Sequence, residues 1–185
     1  MVKIVGEQVY LRPITHEDTD NVVKWRNQEN VIKYYIYRGP FTKEIHENWL
    51  KTKVDTGEVI QFMVCLKDGD VPVGSTFLKN IDKVHDKAEY GIFLDGSADI
   101  RGKGIGTEAL RLTLKYCFET LHLHKVYSEI LADNERSIKT LEKVGFKVEA
   151  HLKDEVKIEG EYRDIVLLGI LNDEKNKLCD SMLQK

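Results

Sequence analysis

The spacing of apolar and polar positions changes period several times along the chain, and each change marks a predicted element. Val9 to Pro13 reads as a short strand. Thr15 followed by Asp18 resembles a capping box, opening a helix that carries Val22, Val23 and Trp25. After the loop YYIYRGPF a second helix is predicted, with Thr42 as N-cap and Ile45, Trp49, Leu50 and Val54 near helical spacing. The period then falls to that of extended chain. Ile60 to Lys67, Val71 to Asn80 and Lys87 to Leu94 are β-rich runs separated by DGD and DKVHD, the signature of an antiparallel meander. Leu110, Leu114, Cys117, Phe118 and Leu121 recur at i, i+4, i+7, i+8 and i+11, which predicts another helix. A strand from Lys125 to Leu131 follows, then a helix from about Asn134 to Val144 stopped by Gly145, then strands from Phe146 to His151 and Arg163 to Leu171.

This order predicts an α/β (α+β) fold whose mixed, mostly antiparallel sheet turns parallel around one helix crossover, with about seven strands and about four helices. The length of 185 residues suits one domain over 1–185, with a core at about 7–171 and a polar tail at 172–185 in which Leu178, Met182 and Leu183 are candidate docking points. A formal net charge of -3, with both signs interspersed, leaves no nucleic-acid footprint. The start MVKIVGEQVYLRP lacks the apolar run of a signal peptide, and no stretch approaches the roughly 18 apolar residues of a membrane span, so a cytoplasmic protein with no membrane partner is expected. The cysteines Cys65, Cys117 and Cys179 are odd in number and lack metal-ligand spacing; no metal site is expected, and Cys65 and Cys117 read as buried free thiols.

The chemistry concentrates in RGKGIGTEAL, residues 101 to 110. The first N–H groups of a helix have no carbonyl partner and the macrodipole is positive there, so an anion is stabilised at that end. Gly102, Gly104 and Gly106 let the backbone approach phosphate oxygens, and Arg101 and Lys103 add charge: a diphosphate site is predicted over residues 101 to 107, including Ile105 and Thr107. No GxxxxGK[ST] string is present. Gly104, Gly106 and Ala109 do spell GxGxxA, with Glu129 about 20 residues beyond. A dinucleotide-binding oxidoreductase is therefore an alternative, against which stand the roughly ten residues between Leu94 and Gly104 and the meander that comes before.

The run from Arg101 to Gly106 resembles the R/Q-x-x-G-x-G/A signature of the GCN5-related N-acetyltransferases. Asn134, Ser137, Ile138, Glu142, Lys143, Gly145 and Phe146 are similar to that family's second run, and LRPITHEDTDNVVKWRN, EYGIFL and EYRDIVLLGIL resemble the branch that acetylates ribosomal-protein amino termini, polyamines and amino sugars. The resemblance implies the GNAT fold and acetyl-CoA as cosubstrate, its diphosphate on the amides of residues 102 to 107. It places the pantetheine arm between strands 87 to 94 and 125 to 131, splayed apart, with Asn134 bonding the arm or simply capping its helix. The implied activity is acetyl transfer to a primary amine, on a small molecule or a protein N-terminus, in an enzyme that often pairs as a homodimer; a non-catalytic CoA-binding module is the alternative.

For that transfer a carboxylate must collect the amine's proton. Strand alternation puts Glu89, Gly91 and Phe93 on one face and Tyr127, Glu129 and Leu131 on one face of the neighbouring strand, so Glu89 and Glu129 are the candidate bases. Leu141 stands where many relatives carry a tyrosine that protonates the leaving thiolate, which makes Ser137 the candidate proton donor. The loop DGSADI is about two residues longer than the branch's usual turn. For the acceptor, Trp25, Arg26, Asn27, Tyr35 and His46 form an aromatic group with one cation, and WRN with a later HxxW resembles acetyltransferases of nucleotide-linked amino sugars. The plainer reading makes Trp25 a core residue at helical spacing and His46 a surface histidine. The acidic residues Asp154, Glu155, Glu159 and Glu161 point instead to a cationic acceptor such as a polyamine or a protein amino terminus, or form a solvated face.

Overall fold

A computed structural model of the chain describes residues 3–97 and 99–172. Among the described residues eight strands form one sheet: β1 (Ile4–Val5), β2 (Val9–Pro13), β3 (Ile60–Leu66), β4 (Pro72–Asp82), β5 (Lys87–Leu94), β6 (Lys125–Leu131), β7 (Lys147–Ile158) and β8 (Glu161–Leu171). Their order is β1-β2-β3-β4-β5-β6-β8-β7. Every neighbouring pair is antiparallel except β5 and β6, which are parallel. The crossover between them is α4 (Ile105–Glu119). The other helices are α1 (Thr19–Arg26), α2 (Glu29–Ile32), α3 (Lys43–Trp49) and α5 (Glu135–Val144), and α3 runs on into a π-type turn at Leu50–Val54.

Strand alternation distributes the helices over two faces. On β3, Phe62 and Val64 pack with Ile105, Ala109 and Leu112 of α4, whereas Met63 and Cys65 pack with Val22 and Trp25 of α1 and with Leu50. On β5, Ala88 and Tyr90 join Leu110, Leu114, Cys117 and Phe118 of α4 and Leu141 and Val144 of α5, while Phe93 points to the α1–α3 face. Leu110 and Leu114 are both almost fully buried, each contributing about 1.5–3 kcal/mol. Glu89, odd like Phe93, therefore faces α1–α3; Val126 packs under α4, so Tyr127 and Glu129 of β6 also face α1–α3.

The helix ends are chemically set. Asp18 accepts from the Thr15 amide at 2.9 Å, closing the capping box, and also takes both Arg12 nitrogens at 2.8 and 2.6 Å. Thr42 accepts from the Ile45 amide at 3.3 Å. Gly145 ends α5 at φ 106°.

The expected elements are all present, with three differences. β1 and α2 are additional, and both are too short to leave a periodic signal. The last hairpin is much longer than expected, its strands meeting at a two-residue turn whose Glu159 and Gly160 both have positive φ. A bulge between Leu152 and Val156 breaks the alternation there, and the Asp154 amide is held by Asp164 at 2.8 Å. Cys179, Leu178, Met182 and Leu183 lie outside the described residues.

Candidate active site

β5 and β6 pair only from Lys87 to Glu89 with Lys125 to Tyr127. Beyond that point β5 stays bonded to β4 as far as Leu94, and β6 to β8 as far as Leu131, so the two parallel strands open a wedge between them. At its apex the Ser128 hydroxyl donates to the Tyr90 carbonyl at 2.9 Å, a bridge that leaves no mark in the residue pattern. Because the strands are parallel, both C-terminal ends lie at the open end of the wedge. The glycine turn follows β5 there and Asn134 follows β6, so topology brings together two motifs about 30 residues apart.

At the turn, Gly102 and Gly104 sit at φ 75° and 81°, where L side chains are strained. A Cβ at Gly102 would meet nothing within 4 Å, and one at Gly104 only Gln8 Nε2 at 3.9 Å, so the space above both residues is open. Gly106 serves differently: its Cβ would lie 3.3 Å from Leu94 Cδ1, so it permits close approach of α4 to β5. The first backbone bond into α4 is Glu108 N–H to Gly104 C=O at 2.9 Å, and the amides of Ile105, Gly106 and Thr107 find no backbone acceptor among the described residues. Unpartnered amides, open space and two nearby cations fit a diphosphate. Arg101 is exposed, with no ion pair among the described residues; Lys103 is bound to Asp99 at 2.8 Å, an exposed contact that an anion can displace. Glu108 faces away, accepting from the Gln8 amide at 3.0 Å and so tying α4 to β2.

Asn134 caps α5, its Oδ1 accepting from the Ser137 amide at 3.3 Å, and its Nδ2 donates to nothing among the described residues. The Ser137 side chain is half-buried and its hydroxyl also has no partner there. Leu141 is buried in the core beneath α5. Asp133 pairs with Arg163 of β8 and, with Ala132, Tyr162 and Asp164, lines a shallow hollow beside this loop.

The two carboxylates differ. Glu89 is buried and fully engaged, with Lys79 at 2.9 Å and Asn80 Nδ2 at 2.9 Å. Lys79 lies directly opposite in the β4–β5 register, a cross-strand pair readable once the meander is aligned. Glu129 is exposed, on the β6 side of the wedge. Partial burial first, and then the charge of Glu89, push its carboxyl above the usual range, with Lys79 opposing.

The five acceptor candidates take distinct places. Trp25 is a core residue. Asn27 is a clamp, its Oδ1 accepting from the Phe41 amide at 2.9 Å and its Nδ2 donating to the Phe41 carbonyl at 2.8 Å. His46 is the correction: it lies buried, 1% exposed, and is not a surface histidine, because Nδ1 bonds Thr19 Oγ1 at 3.0 Å across α1 and α3. Arg26 is buried under the half-buried Tyr35. Gln28, next to these, was not singled out from sequence, yet it bonds Asp95 at 2.7 Å and the Gly96 amide at 2.6 Å, fixing the entry to the glycine turn.

A family model described as an acetyltransferase (GNAT) domain matches residues 8–147. The chain belongs to the GNAT acetyltransferase family. It is an acyltransferase that uses acetyl-CoA, and the GxGxxA reading as a dinucleotide site falls away. The acetyltransferase is 32% identical over 165 residues to spermidine N(1)-acetyltransferase of Escherichia coli K12, an alignment covering 89% of this chain and 87% of that protein. Over 70 residues, 38% of this chain and 36% of the other, it is 36% identical to the ribosomal protein uS5 alanine N-acetyltransferase of the same organism. Its fold matches the crystal structure of Vibrio cholerae spermidine N-acetyltransferase in complex with CoA and spermine, with TM-score 0.82, 25% identity, and coverage of 91% of this chain and 98% of that one. Among the described residues no helix is long and apolar enough to cross a membrane, and no cluster of His, Cys, Asp and Glu could hold a metal ion.

Proposed function

We propose that the enzyme passes the acetyl group from the thioester directly to a primary amine while both substrates are bound, with Glu129 taking the amine's proton. The carrying observation is Glu129: an exposed carboxylate on the wall of the wedge, held above its usual range by burial and by Glu89. An amine near pKa 10 is almost wholly protonated at neutral pH and only its free base attacks. A carboxylate whose proton affinity is raised toward the working pH is the better base.

Acetyl-CoA supplies the activated carbonyl and the leaving thiolate. In this reading the amides of residues 102 to 107, with Arg101 and Lys103, hold its diphosphate, and the free Nδ2 of Asn134 holds the arm while Oδ1 keeps the cap. N–H groups of β5 released from pairing with β6 are fixed donors at the reacting carbonyl. The free Ser137 hydroxyl holds the proton that the sulfur takes. Glu89, neutralised by Lys79, orders the wedge and raises Glu129; it is a positioning residue. That all eight strands belong to one sheet supports reading 1–185 as a single catalytic domain.

The acceptor is a primary amine of a polyamine, an amino sugar or a protein amino terminus. The test follows CoA release and acetylated product with acetyl-CoA against spermidine, glucosamine, peptides with free amino termini and simple alkylamines. Transfer to at least one class is expected; tight acetyl-CoA binding without transfer to any amine refutes the proposal.

A further inference from the structure

Arg26 is 8% exposed, and no carboxylate pairs with it among the described residues. Its guanidinium carbon stands 3.1 Å from the centre of the Tyr35 ring, 4.8 Å from Phe41 and 5.9 Å from Phe93. Nη1 is fully buried with no hydrogen-bond partner. Charged side chains are almost never buried without a counterion, since removing one from water costs several kcal/mol. Ring faces return roughly 2 kcal/mol when desolvated, yet they give a directional N–H no acceptor.

A second orphan lies beside the same ring. His46 packs 6.1 Å from Phe41, ring centre to ring centre, and its Nε2 is also buried without a partner. Burial holds the imidazole pKa down to about 4, so the ring is neutral. Assigning the Thr19 hydroxyl as donor to Nδ1, its one hydrogen-bond partner among the described residues, puts the ring proton on Nε2. Two buried nitrogens without partners thus lie beside Phe41.

We propose that Arg26 Nη1 and His46 Nε2 form a binding site for an anionic group of the acceptor, a carboxylate or phosphate on the molecule that carries the amine. The inference rests on the acetyl-transfer reading above and names its substrate class. Phe93, which borders Arg26, projects from β5 on the same face as Glu89 and two residues beyond Gly91, the position level with Glu129 if the β5–β6 register continued. Arg26 therefore borders the part of β5 nearer the open end of the wedge, on the face that Glu129 shares. The amine end is acidic, with Glu129 and Glu155 close enough to interact. The stretch from residue 24 to 43 is the reverse, with Lys24, Arg26, Lys33, Arg38 and Lys43 against Glu29 alone. Arg38 pairs with Glu159 and Lys43 with Asp20, so the buried, unpaired charge of Arg26 is the one an anion on the acceptor would meet, with the amine at the acidic end.

The test compares kcat/KM for hexylamine, 1,6-diaminohexane, spermidine, 6-aminohexanoate and 6-aminohexyl phosphate, whose last two members separate carboxylate from phosphate recognition. At least a tenfold preference for one of the anionic acceptors over hexylamine is expected, and Arg26→Gln and His46→Gln should each lower that ratio toward unity. Should either variant fail to fold, hexanoate and hexyl phosphate, which lack the amine, serve with the unaltered enzyme: one should inhibit competitively against hexylamine at least tenfold more strongly than hexanol. Equal ratios in the unaltered enzyme, preference for spermidine, or an Arg26→Gln variant that loses thermal stability while keeping the ratio overturns the site. Failure of every amine to accept acetyl overturns the underlying reading instead, so the two failures are distinct.

Discussion

Gly104 offers the sharpest test of where the diphosphate sits. Any L residue there must adopt φ near 81°, at a cost of about 1–2 kcal/mol. For a chain of this size that lowers Tm by roughly 2–8 °C, leaving a folded protein. The added side chain meets open space, with Gln8 Nε2 the nearest atom at 3.9 Å, so no further steric cost arises in the free enzyme. Gly104→Gln and Gly104→Glu then share strain and size and differ in one negative charge. A unit charge about 4 Å from another costs about 1 kcal/mol in bulk water and about 4 kcal/mol at an effective dielectric near 20. Calorimetric titration should therefore show CoA bound between about fivefold and about 10³-fold more weakly by the Glu variant than by the Gln variant. The difference should shrink as salt is raised, since the turn is exposed. Equal affinities in two folded variants would place the diphosphate elsewhere and refute the reasoning. Gly106→Ala is the contrasting case, since its methyl meets Leu94 rather than open space, and it should perturb packing more than charge recognition.

Three other outcomes follow from the geometry. Glu129→Gln should lower turnover most between the pH at which Glu129 ionises and the pKa of the amine, and least above the latter, where free amine no longer needs a base; a pH-rate profile parallel to the parent's removes the assignment. Asp18→Asn should cost about 2–3 kcal/mol, from the Arg12 pair and the cap together, and lower Tm by roughly 5–10 °C in thermal melts at pH 7. Burial opposes ionisation of Asp18, but Arg12 and Thr15 hold its carboxyl below the usual range. That stabilisation is complete above the unfolded pKa near 3.9 and is lost as the pH falls through the folded value, so the gap between the two proteins should narrow below about pH 4 and not between pH 6 and 8. Burial raises both thiols, Cys117 to about 12, so peptide mapping after treatment with a thiol reagent should find Cys65 and Cys117 labelled only once the protein is unfolded.

The elements legible in the sequence were those whose side chains alternate between water and core: the meander, α4 with its stripe of Leu110, Leu114, Cys117 and Phe118, and α5 between Asn134 and Gly145. The long hairpin was only half legible, because the bulge at Leu152 to Val156 puts Lys153, Asp154 and Glu155 where alternation would show a strand. His46 was misread for a related reason. One histidine among polar neighbours carries no periodic signal, and its burial depends on Thr19, 27 residues earlier, lying across from it. Glu89 and Glu129 were equivalent as letters and became unequal only through register, which sets Lys79 against one and leaves the other exposed.

The wedge has no residue pattern of its own and was expected only through the family resemblance, yet it is the feature that brings the glycine- and asparagine-bearing motifs to one end of the sheet. A strand that stops pairing after Glu89 leaves backbone groups on one edge of β5 unsatisfied, which is costly unless another chain of amides or water fills the gap. The bridge from Ser128 to the Tyr90 carbonyl satisfies one such group at the apex and holds the strands together there. Past that point the opening widens toward Gly104 on one side and Asn134 on the other, and a ligand with amide groups along its length can replace the missing β pairing. The pantetheine arm has that chemistry. Under the proposed function the same break in pairing would form the cofactor groove with Glu129 on its β6 side, while register is continuous from β2 through β5 and from β6 through β8 apart from local bulges.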